Sequence, residues 1–309
     1  ETIRGRHRNI SALIVSREMW KAVVMPGSTF ANAVVCVPGD TRTTLERRQR
    51  EVGRQALGCH GTVANEAVQG DLGWSSFETM EATSKVSFDG RLRLMDRCRW
   101  AKRLHWRKRL YQLEKKFGFF TEPVEATTEK EWESVVRKRV REQETVQWLE
   151  AARTKSTLTM YAELEQQITA ETRLYDNSLG SRLLFEARVG ALRTLVYKQR
   201  FENNVQSTVC RVCEGESETA EHIILHCGGI QPSATSPNEE ANKLHEGVPP
   251  LATALGFSTT SERANTTEAF CKTIEADEKM SGGLVASYTT HGALNSPPGL
   301  STINRARPL

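Results

Sequence analysis

The sequence predicts a mostly α protein: a helical body, then a small cysteine-rich module, then a poorly ordered tail. Apolar residues recur at helical spacing in successive segments before residue 201. The stretch CRVCEGESETAEHIILHC, 210–227, then brings three cysteines and a histidine together. Beyond Gly228 the composition turns to Ser, Thr, Pro, Asn and Gly with few aromatics, which cannot bury enough apolar surface to order itself. The expected boundaries are 1–125 and 126–205 for two helical regions, 206–230 for the module and 231–309 for the tail.

In TLERRQREVGRQAL, 44–57, Leu45, Val52 and Ala56 share one side and Arg47, Arg50 and Arg54 the other. Gly58 is a stop, because glycine accepts the left-handed conformation that ends many helices. The three outward guanidinium groups read either as a solvated face or as phosphate contacts. RCRWAKRLHWRKRLYQLEKKF, 97–117, carries the stripe Trp106, Leu110, Leu113, Phe117, yet its first half is basic almost all round. Arg99, Arg103 and Arg107 align at i, i+4, i+8. Trp100 and Trp106 read as core residues, with base stacking the minority reading.

Thr128 to Glu131 has the reciprocal Thr-x-x-Glu pattern of a helix start, followed by Trp132, Val136 and Val140 on one face. The mixed charges of RKRVREQE, 137–144, favour a solvated face there. A further helix carries Leu158, Tyr161, Leu164 and Ile168, and another spans about 181–201 with Leu184, Ala187, Ala191 and Leu195. A short helix over 266–279 is the one element expected in the tail.

With 309 residues and 38% hydrophobic content the chain can bury at least one core. Its longest apolar stretch, 23–38, is interrupted by Ser28, Thr29 and Asn32 and is too short for a bilayer, so no membrane association is expected. The chain starts at Glu1 without an initiator Met or a leader, which reads as truncation. Seven cysteines, three of them clustered, do not look like a disulfide framework and fit a reducing, intracellular compartment. The net charge of +4 hides segregation: 91–116 holds eleven basic residues against two acids, whereas 228–309 holds six against eight.

In the cysteine cluster, CxxC in a tight turn can place the thiolates of Cys210 and Cys213 on one ion, and His222 and Cys227 can complete a tetrahedral shell. Four protein ligands leave no position for a catalytic water, so the expected cofactor is a structural Zn2+. Three thiolates leave the centre at −1, a charge that Arg211 and the neighbouring arginines are expected to offset. The competing readings are chance proximity or a CxxC redox pair, which would follow a strand and open a helix. His226, adjacent to Cys227, is the spare or an alternative ligand.

Taken in order, LERRQREVGRQALG (45–58), QGDLGWSSFE (69–78), RLYQLEKKFGFF (109–120), LYDNSLGSRLLFEARVGALRTLVYKQRF (174–201) and the cysteine cluster resemble the C-terminal region of non-LTR (LINE-type) retrotransposon reverse transcriptases, most of all the transposon proteins abundant in ticks. The resemblance spans roughly residues 10–230. It implies that 1–125 is a thumb-like helical region downstream of a polymerase domain, that the Cys-Cys-His-Cys segment is a zinc-knuckle module helping to grip RNA and DNA, and that the protein works in the nucleus. Catalysis in that family needs carboxylates converging on two magnesium ions, two of them adjacent aspartates. The aspartates here are 40, 71, 89, 96, 176 and 277, none adjacent, and Tyr175-Asp176-Asn177 is only an echo. Glu275, Asp277 and Lys279 are too sparse for the endonuclease some relatives carry.

The expected function is therefore a non-catalytic, nucleic-acid-binding portion of a reverse transcriptase. Arg47, Arg50, Arg54, Arg99, Arg103 and Arg107 are its candidate phosphate contacts, and an upstream polymerase domain of the same polyprotein is its partner. Two alternatives stand beside it. The longer protein acts as the polymerase, or the chain is a domesticated or decayed transposon remnant serving as a helical protein-interaction module.

Overall fold

A computed structural model describes residues 12–94, 107–120, 128–170, 174–175, 179–229 and 249–257, and these fold as helices with an isolated antiparallel bridge between Val209 and Ser217. They form two units: one contains the described residues through Leu192 together with 249–257, the other 193–229.

The first unit opens with α1 (Ala12–Met19), a π-helical turn (Trp20–Val24) and α2 (Met25–Ser28). Trp20 stacks on Trp74 at 5.0 Å and meets Phe77 edge-on. Helix α3 (Gly39–Leu57) begins five residues earlier than the sequence suggests, after Pro38. It ends at Gly58 as expected: φ is 69°, and the Gly58 and Cys59 N–H groups bond back to Gln55 and Arg54. Its buried residues are Gln49, Gly53, Ala56 and Leu57, with Leu45 and Val52 only half-buried, so the inward face is rotated from the one the apolar pattern suggested. The Gln49 amide explains this by donating to the Ser75 carbonyl at 3.1 Å.

Helix α4 (Asn65–Leu72) leads to α5 (Phe77–Leu94), which packs along α7 (Glu129–Arg153). Ala82, Val86 and Leu92 join Leu110 and Leu113 of α6 (Arg107–Lys116), Phe117, and Val136 and Val140 of α7 in one apolar cluster. The helical regions on either side of residue 125 thus share a core. Helix α7 starts with the expected capping box: the Glu131 N–H donates to Thr128 Oγ1 at 3.3 Å and the Thr128 N–H to the Glu131 carboxylate at 3.1 Å. The Trp132 indole donates to the Val86 carbonyl at 2.9 Å, tying α7 to α5.

Buried charge binds the rest. Lys85 of α5, fully buried, donates to the Asn32 and Val35 carbonyls at 2.6 Å each and holds the 29–36 segment on the helix. Glu81, 2% exposed, receives Arg42 and Arg109. Asp71 accepts the phenol hydrogens of both Tyr161 and Tyr175, which gives Tyr175 a packing role; Asp176 and Asn177 lie outside the described residues.

Two expected helices are shorter than their patterns. Helix α8 (Thr159–Leu164) stops before Ile168. The helix expected over 181–201 is broken: α9 (Leu179–Arg188) ends at Gly190, and α10 (Leu195–Gln199) begins afresh after a Thr194 cap. Gly190 has φ of 62°, and a Cβ there would sit 2.3 Å from the Thr157 carbonyl oxygen, so only glycine fits. The apolar period ran on through Ala191 and Leu195 and concealed the break.

Part of the expected tail is packed. Helix α11 (Pro250–Ala254) returns to the first unit, where fully buried Arg188 donates to the Leu255 carbonyl at 2.8 Å and to Glu165 at 2.7 Å. Its guanidinium also lies 4.0 Å from the Phe257 ring centroid. The 266–279 helix, Glu275, Asp277 and Lys279 lie outside the described residues, as do Arg99, Trp100, Arg103 and Trp106. Among the described residues no helix is long and apolar enough to cross a membrane.

Candidate metal centre

The second unit is built around the cysteine cluster. The Val209–Ser217 bridge and the Cys210 N–H to Glu216 carbonyl bond, 2.7 Å, close a tight hairpin over the CxxC turn. Glu214 turns the chain with φ of 56°, an uncommon conformation for a side chain with a Cβ. Thr219 caps the return segment by accepting the His222 N–H at 3.0 Å. A π-helical turn follows over His222–His226, closed by a Cys227 N–H to His222 carbonyl bond of 2.7 Å. An α-helix would set residues five apart about 140° from each other; the wider turn carries both onto one side. That is how a His-x4-Cys spacing can serve a single ion.

The ligand atoms of Cys210, Cys213, His222 and Cys227 all lie within 4.8 Å of one another, so the cluster could hold a metal ion. Metal–sulfur and metal–nitrogen lengths typical of tetrahedral zinc require edges of about 3.8 Å between sulfurs and roughly 3.6 Å between sulfur and nitrogen. The Cys210 and Cys227 sulfurs are 3.7 Å apart, and the Cys213 sulfur is 3.2 Å from His222 Nε2. The first matches the edge; the second is a few tenths of an ångström short, as suits a direct S···N hydrogen bond. All the described cysteines are free thiols. The CxxC follows an isolated bridge and opens no helix, unlike a thioredoxin-type redox pair. Ile223, 3% exposed, completes a miniature core with Cys210 and Cys227.

Two acids position this shell. Glu216 accepts from His222 Nδ1 at 2.9 Å, which leaves Nε2 free to face the thiolates. This carboxylate–imidazole pairing orients metal-bound histidines generally. Glu218, fully buried, accepts from the Leu195 N–H at 3.0 Å and from the backbone N–H, Nε and Nη2 of Arg211 at 3.2, 2.8 and 2.6 Å. Arg211 is therefore committed to Glu218, in place of the expected role of offsetting the thiolates. The backbone N–H groups of Glu216 and Gly215 hold the Cys213 thiol down at about 6, so it favours the thiolate a metal needs. His226 is exposed and outside the cluster. The acid run at 214–218 signals that some carboxylate supports the imidazole; which one depends on the left-handed turn at Glu214, and no local pattern announces it.

The candidate phosphate contacts lie in the other unit and differ in availability. Arg47 is 64% exposed, 3.9 Å from Glu51, and Arg107 is exposed on α6. Arg50 is half-buried. Arg54 does not face outward as expected: it donates to the Val63 carbonyl at 2.9 Å and to Asn65 at 2.6 Å, closing the loop after α3.

Fold and cluster together define a mostly helical protein with a Cys3His site resembling a zinc knuckle. No family model, curated protein or solved structure matches the chain.

Proposed function

We propose that this chain is a nucleic-acid-binding portion of a non-LTR retrotransposon reverse transcriptase, in which a structural zinc ion folds the 206–230 module and basic helices hold the backbone of RNA or DNA. The observation that carries the zinc assignment is the convergence of three thiols and one imidazole nitrogen, with no fifth ligand among the described residues. The family assignment is supported by the ordered segments between 45 and 227. Polymerase chemistry is assigned to an upstream domain, and the nucleus is the expected place of action. Exposed cations such as Arg47 and Arg107 bind through counterion release, without base specificity of their own.

Elemental analysis tests the metal: one zinc per chain is expected, lost on Cys213→Ser, and full zinc content in that variant would overturn the ligand set. Titration with unrelated RNA and DNA at several salt concentrations tests the function. Affinity falling steeply with salt is expected, whereas no salt-dependent binding supports a protein-interaction module instead.

A further inference from the structure

Helix α6 buries Leu110, Leu113 and Glu114 and turns Arg107, Lys108, Tyr111 and Lys115 outward. At 100° per residue, those four fall within about 100° of the helix circumference, with Tyr111 among the cations. Just past the helix, Phe120 comes back onto Tyr111, their ring centroids 5.0 Å apart at 48°. Tyr111 is 58% exposed and Phe120 55%, so two rings lie open to solvent side by side.

Among the described residues, the neighbouring charges leave this face one-signed. Glu114, the one acid on α6, is turned inward and paired with Arg93 at 3.0 Å. Glu78 and Glu81 are taken up by Arg109 and Lys116. Among the described residues no acid pairs with Arg107, Lys108 or Lys115. An apolar partner would have to desolvate three cations to reach the rings. A polyanion whose own units carry flat π faces meets both features at once.

We propose that Tyr111 and Phe120 form a base-stacking platform for single-stranded nucleic acid, with Arg107, Lys108 and Lys115 holding the flanking phosphates. This rests on the nucleic-acid reading above and names residues and a ligand form that the reading leaves open. It differs from base stacking by Trp100 or Trp106 in using two rings that follow both tryptophans in the chain.

The test uses the full zinc-loaded chain with three probes: a mixed-sequence single strand, as RNA and as DNA; the same strand with abasic positions; and a duplex of equal length. Wild type is expected to bind the single strand about tenfold tighter than its abasic counterpart. Tyr111→Ala and Phe120→Ala should each remove most of that difference while leaving affinity for the abasic strand and the slope of affinity against salt unchanged. Lys108→Gln with Lys115→Gln should weaken every probe and reduce the salt slope by roughly 1.4 on single strands. RNA and DNA arms that respond alike fit stacking. Wild-type binding that Tyr111→Ala leaves unaltered on all probes overturns the platform, as expected for a protein-docking patch, while the nucleic-acid reading stands. Absence of salt-dependent binding by wild type overturns both. Equal losses on intact and abasic strands assign Tyr111 to the fold and also overturn the platform.

Discussion

Replacing Glu218 by alanine should cripple the metal module although the residue touches no ligand atom. Its carboxylate, 0% exposed, receives the Leu195 N–H and the Arg211 N–H, Nε and Nη2, joining the start of α10 to the hairpin that carries Cys210 and Cys213. The truncation leaves two backbone donors without their acceptor, at about 1 kcal/mol each. It also breaks an ion pair whose arginine is 31% exposed, which limits that contribution to about 1 kcal/mol. The total is about 3 kcal/mol. Because folding and metal binding of such a module are linked, the loss should appear as roughly 100-fold weaker zinc binding in competition with a chromophoric chelator. A dissociation constant within threefold of wild type would refute the reasoning, because Glu218 would then not hold the hairpin together.

Three further outcomes are expected. Gly90→Ala would put a Cβ 2.0 Å from Trp132 Nε1, displacing the indole from the Val86 carbonyl, so thermal denaturation should show a net loss of about 2 kcal/mol after the helix-propensity gain. Thr128→Ala removes the capping box of α7 and should cost about 1 kcal/mol by urea denaturation; an unchanged midpoint would mean the cap contributes nothing. Burial raises the carboxyl of Glu144 above its ordinary range despite a bond from the Ser76 N–H, and neighbouring Glu46 is raised for the same first reason. The folded state then holds that proton more tightly than the unfolded state. The associated stability is fully present below the unfolded value near 4.5 and is lost as pH rises through the folded one. Relative to Glu144→Gln, wild type should therefore gain stability on acidification from neutral pH, and a difference that is flat or grows with pH would contradict the burial argument.

The legible parts of this chain are those decided locally. The capping box at Thr128 and the glycine stop at 58 need only their neighbours in sequence, and the four ligand types at 210, 213, 222 and 227 are visible as spacing. Helix α5 was illegible because it buries Glu81 and Lys85, so its inward face lacks a clean apolar stripe; both are satisfied by partners far away in sequence, Arg109 and the 32–35 carbonyls. The break at Gly190 is hidden for the opposite reason, since an apolar period continues across a break fixed by the Thr157 carbonyl. Arg54 looked outward by period alone and is drawn in by the loop it helps to close. In the metal centre the ligands were readable and their supports were not, because Glu216 and Glu218 take their roles from the path of the hairpin.

The anchoring of Leu255 and Phe257 on Arg188 means that the chain departs from the first unit at Leu192 and is back in it by residue 249. The metal module is thus an insertion held covalently at both ends, not a terminal appendage. Loop-closure entropy grows only logarithmically with length, about 0.6 kcal/mol per doubling, so the body can tolerate an excursion of this size whether or not its metal is bound. A protease cut within 230–248 would leave the module attached through α10, while residues 249–257 would stay on the body through Arg188, the Tyr161 ring against Phe257 and the burial of Ala252 and Leu255, without a peptide link to the module.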